Sequence, residues 1–200
     1  MEVKNKILIV PSLYGEYCAQ RLGEKLKGKG YEIKMVEGSF GEITGLLVIS
    51  RSEYLTWKPD LVIGLGVGCI VIGAFDQAMR IMIDPDFHYS DFCKEEMHRY
   101  QELLDTGIKD KSKKFEIERA YQDFKHDAEL AEKLEHKEKS LRGEKPMLCI
   151  FTNETGDMAD YEDRYGSYEV NLDIDLNKMA SLDIMMESIE RFLKEANKKC

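Results

Sequence analysis

A chain of 200 residues, 43% apolar and 34% charged, carries enough apolar side chain for one buried core, which excludes a disordered chain. Its net charge of -9 excludes a general binder of nucleic acid or anionic membrane, since both need a basic face. No apolar run approaches the ~18 residues of a membrane span, and five scattered cysteines with no C-x-x-C pair suit neither a disulfide framework nor a zinc site. A single domain over 1–200 in a reducing, cytoplasmic compartment is expected, with no metal and no cofactor.

Lys6 to Val10 is a short apolar run closed by Pro11-Ser12, and reads as a strand buried on both faces, not as a signal peptide. Tyr14, Cys18, Leu22 and Leu26 fall at helical spacing before Gly28 and Gly30. Tyr31 to Val36 is a second strand. Glu42 to Trp57 is ambiguous: Leu46-Leu47-Val48-Ile49 suits a strand, whereas the length suits a helix. Asp60 to Ile63 is a third strand that enters Gly64-Leu65-Gly66-Val67-Gly68-Cys69 and then a helix to about Met79. Arg80 to Ile83 is a fourth strand, closed by Asp84-Pro85-Asp86-Phe87. This alternation implies right-handed crossovers and a parallel sheet.

Residues 88–145 hold no strand and form a helical insertion. Ile117, Tyr121, Phe124, Ala128 and Ala131 make one amphipathic stripe, and the charges of 94–145 nearly cancel, as on a solvated face. Met147 to Phe151 and Ser167 to Val170 are the fifth and sixth strands, and Leu182 to Ala196 is a closing helix. The expected order is 2-1-3-4-5-6, with the insertion over the carboxyl ends of the strands, where such sheets bind ligands.

The turn Gly64-Leu65-Gly66-Val67-Gly68 has the outer glycines of the nucleophile elbow G-x-S-x-G, with Gly66 in place of the serine. The wider segment, Pro59 through Gly64, Phe75-Asp76 and Ile83 through Phe87, resembles small bacterial α/β-hydrolases of the YqiA-like esterase group. The resemblance implies a three-layer α/β-hydrolase-like sandwich and a Ser-Asp-His triad. It also implies an oxyanion loop at Pro11-Ser12, an acid after the fifth strand (Glu154, Thr155 and Asp157 occupy that stretch) and a base near Ile174. The sequence departs at the nucleophile and the base. Gly66 has no side chain, and His88, His98, His126 and His136 all precede the fifth strand. A serine hydrolase needs a base within reach of its nucleophile. The expectation is therefore a degenerate hydrolase with no catalytic residues, holding a small ligand or a protein partner in a cleft formed by Ser12, Leu13, Tyr14, Gly66, Val67 and Asp86.

Rival readings use the same residues. Cys69, near a helix start, and Ser12 are alternative nucleophiles for an active esterase-type enzyme. They read more simply as a core residue and a turn residue. A dinucleotide fingerprint ending at Asp84 fails on spacing, because G-x-G-x-x-G meets Cys69 or Val71 where glycine is required. An anion resting on the glycine turn 64–68 remains open. Residues 154–175 carry -7 of the net charge. Asp173 to Asn177 begins like an EF-hand loop but has Lys178 and Ile184 at the two defining positions. This acidic stretch is expected to border the cleft and disfavour anionic ligands.

Overall fold

Aliphatic runs of four or five residues, bounded by Gly, Pro or Asp, are too short for stable helices and too apolar for loops. In a computed structural model of the chain such runs form β1 (Lys6–Val10), β3 (Leu61–Leu65), β4 (Met79–Ile83) and β5 (Met147–Phe151), and the more polar segments Glu32–Met35 and Tyr168–Asn171 form β2 and β6. The structure describes residues 6–13, 16–38, 42–75, 77–86, 88–140, 146–152, 168–171 and 179–199. All five strand pairings are parallel, in the expected order β2-β1-β3-β4-β5-β6.

Parallel strands need crossovers, and helices supply the first four: α1 (Glu16–Gly28), α2 (Ile43–Trp57), α3 (Gly68–Ile72), and α4 (Tyr89–Asp105) with α5 (Lys111–Ser140); α6 (Met179–Lys199) follows β6. Side chains alternate across a strand, so the sheet has two cores. Ile7, Ile9, Ile63, Ile81 and Ile150 pack with Leu22 of α1 and Ile189 of α6. Leu8, Val10, Val62, Met82 and Cys149 pack with Leu46 of α2, Ile70 of α3 and Ala131 of α5. Helices thus cover both faces. No helix among the described residues is long and apolar enough to cross a membrane.

The structure refines three points of the sequence reading. The ambiguous segment is the helix α2, in which Leu46 is buried while Val48, Ile49 and Leu55 remain exposed. The helix expected from Cys69 to about Met79 stops at Ile72, because Met79 already pairs with Leu61 in the sheet. The insertion is two helices, and α5 packs along α2 and α3 instead of only over the strand ends. Its stripe works as expected, with Ile117, Ala128 and Ala131 buried and Phe124 against the core.

Asp127 fixes this insertion to the body. Its buried carboxylate accepts the Ile43 N–H at 3.0 Å, at the start of α2, and the Tyr89 hydroxyl at 2.8 Å, at the start of α4. The second carboxylate oxygen, Oδ1, is buried with no partner among the described residues. Burial, then Asp127, pushes the Tyr89 hydroxyl pKa far up. Cys93, one turn along α4, is pushed up to about 12, chiefly by burial.

Candidate functional site

The order β2-β1-β3 reverses the direction of winding between β1 and β3, and an open parallel sheet splits its loops apart at such a point. The loop after β1 carries Pro11, Ser12 and Leu13, and the loop after β3 carries Gly66 and Val67. The turn has the backbone of an elbow. Gly66 adopts φ +51°, in the left-handed region where residues with a Cβ are strained. Its N–H donates to the Ile83 carbonyl at 3.0 Å, while its own carbonyl accepts the Cys69 N–H at 3.0 Å and the Asp86 N–H at 3.3 Å. The outer glycines serve close approach. A Cβ on Gly68 would lie 2.5 Å from the Val10 carbonyl oxygen and 2.6 Å from that of Pro11, so only glycine lets α3 sit against the end of β1.

At the centre of the elbow the space above Gly66 is already taken. A Cβ there would lie 2.9 Å from Ser12 Oγ and 3.2 Å from Ser12 Cβ. The half-buried Ser12 of the neighbouring loop thus occupies the space beside Gly66. Cys69 is fully buried, with its Sγ 3.5 Å from the Ile83 carbonyl oxygen, which is a packing position and not an attacking one. Leu13 and Val67 are buried members of the core, so their side chains face the interior rather than the cleft. Asp86 reaches the turn through its backbone. Its side chain keeps an exposed surface, yet crowding around the carboxyl raises its pKa, opposed by the His88 N–H and the His88 charge. Tyr14, Glu154, Thr155, Asp157 and Ile174 lie outside the described residues. So does most of the acidic stretch 154–175, of which only residues 168–171 are described.

Sequence reasoning missed one pair. Asp84, at the carboxyl end of β4, adopts φ +47°. Its two carboxylate oxygens accept the Thr152 N–H at 2.6 Å and the Thr152 hydroxyl at 2.7 Å, at the end of β5. The signal was present as Ile-Asp-Pro and Phe-Thr, each a polar residue ending an apolar run, but nothing in the sequence pairs residues 68 apart. The clamp lies beside the elbow, since Leu65 pairs with Ile83 and Ile83 with Ile150. A carboxylate held this way by N–H and O–H is an acceptor fixed in place rather than a mobile base.

The site therefore offers a left-handed glycine turn, a neighbouring serine hydroxyl and a clamped carboxylate. No group of three or more His, Cys, Asp or Glu side chains among the described residues could hold a metal. Neither a protein-family model nor a curated protein sequence matches this chain.

Proposed function

We propose that the chain is a degenerate α/β-hydrolase, a binding protein that receives a small ligand or a partner segment at the carboxyl ends of β1, β3 and β4. One observation carries the reading: the elbow keeps its left-handed turn at Gly66, and Ser12 Oγ fills the space a nucleophile would use. The strand order and the glycine turn support the fold half of the proposal. The lack of any histidine beyond His136 supports the non-catalytic half. An unactivated serine is a poor nucleophile near neutral pH.

The experiment is hydrolysis of p-nitrophenyl acetate and butyrate, with a fluorophosphonate probe as a second readout. The expected result is no turnover above buffer and no labelled serine. A second reading, an esterase that attacks with Ser12, rests on the position of that hydroxyl beside the elbow. It predicts saturable hydrolysis that disappears in Ser12→Ala, and that result would overturn the binding-protein reading.

A further inference from the structure

β2 is the edge of the sheet. Its side toward β1 is paired: the Val36 N–H just beyond it donates to the Ile9 carbonyl at 2.9 Å. Residues alternate in a parallel ladder, so Glu32 and Lys34 turn their backbone groups toward β1. Ile33 and Met35 turn their N–H and C=O groups to the open side. Those groups form the floor of a groove of about 410 Å³, walled by α1 on one face of the sheet and by α2 on the other. Ile33 and Met35 are half-buried and Ile49 is 41% exposed, which gives the groove an apolar surface on both sides of an open backbone edge. Lys34 is ion-paired to Glu53 across the α2 wall. The other charged lining residues, Glu24, Glu37 and Lys27, leave an excess of one negative charge.

We propose that this groove binds an extended, basic peptide segment of a partner protein, which adds to the sheet as a strand beside β2. The open edge supplies main-chain hydrogen bonds, and the walls receive alternate side chains. Two outward residues present two donors and two acceptors, enough for an added strand of about four residues. A second copy of this chain fits less well, because its own β2 groove carries the same negative excess and would meet it like to like. The inference is independent of the glycine turn, which lies beyond β1 at the carboxyl end of β3.

The test uses fluorescein-labelled Val-Lys-Val-Lys-Val and Val-Glu-Val-Glu-Val, both capped, and fluorescence anisotropy at low salt. The lysine peptide is expected to bind, with the glutamate peptide about tenfold weaker and the difference shrinking as salt is added. Backbone N-methylation of alternate lysine-peptide residues should abolish binding. Ile33→Pro removes one outward N–H while sparing the ladder to β1, a position where an edge strand tolerates proline, and it should also abolish binding. Glu24→Lys, on the exposed rim, should weaken the lysine peptide several-fold without touching the strand. Binding that survives both N-methylation and Ile33→Pro would overturn strand addition, as would no binding of the lysine peptide at millimolar concentration. A mass that doubles with concentration, and reverts in Ile33→Pro, would replace the peptide with a second copy and overturn the assigned occupant.

Discussion

Replacing Gly66 with serine adds a side chain at the centre of the glycine turn, and the structure sets the consequence. A residue with a Cβ at φ +51° is strained by ~1–2 kcal/mol. The new Cβ also meets Ser12 Oγ at 2.9 Å and Ser12 Cβ at 3.2 Å. The hydroxyl can rotate away, but the Cβ contact requires the loop after β1 to yield by a few tenths of an ångström. That adds about 1 kcal/mol. The total, roughly 2–3 kcal/mol, corresponds to a fall of about 4–12 °C in Tm for a chain of this size. Thermal unfolding followed by circular dichroism reads this directly. Ser12→Gly in the Gly66→Ser background removes the contact but not the backbone strain, so it should return only the smaller share, and a double-mutant cycle isolates that coupling. Gly66→Ser should gain no esterase activity, because it supplies an oxygen without a base. A Gly66→Ser protein as stable as the parent would refute the left-handed elbow. One that hydrolyses p-nitrophenyl acetate would show that the site holds a base.

Gly68→Ala should be worse than Gly66→Ser, because its Cβ would strike the Val10 and Pro11 carbonyl oxygens at 2.5 and 2.6 Å, and main chain cannot rotate aside; a loss of about 3 kcal/mol or more is expected in urea titration. Asp127→Ala orphans both the Ile43 N–H and the Tyr89 hydroxyl, whereas Tyr89→Phe removes one bond only; urea midpoints should show about 2–4 kcal/mol lost for the first and about half that for the second. Cys93, with its thiol pushed up to about 12, should resist iodoacetamide at pH 8 along with buried Cys69, while half-buried Cys18 reacts first by peptide mass spectrometry. The Cys93 pKa is raised on folding, so its contribution to stability is complete below about pH 9 and is lost as the pH rises toward about 12.

The sheet was legible because β1, β3, β4 and β5 are short, largely aliphatic runs ended by a residue that breaks them, and alternation with helical spacing leaves little freedom in the order. The helix α2 was not, since Val48, Ile49 and Leu55 are apolar residues on an exposed face, and periodicity reads burial, not chemistry. The end of α3 was overrun because Cys69 to Ile72 continues into an apolar Ala74 and Phe75, all of them buried or half-buried without being helical throughout. At the site, the tight glycine turn was legible from Gly64, Gly66 and Gly68. The approach of Ser12 and the Asp84–Thr152 clamp were not, because each joins residues more than 50 apart through loops whose path no local rule fixes.

The Asp127 carboxylate has a consequence for how the molecule opens. Its bond to the Ile43 amide spans 84 residues of chain, and its bond to Tyr89 spans 38. Lifting α5 alone would strand a buried amide at the head of α2 and a buried phenol at the head of α4, a cost that a local fluctuation does not recover. The three helices are therefore joined into one cooperative unit. Amide exchange of the first turn of α2, the start of α4 and the middle of α5 should proceed at a common free energy, although these segments are distant in sequence. The tie is also slow to form, since a contact between residues so far apart waits on closure of the chain between them.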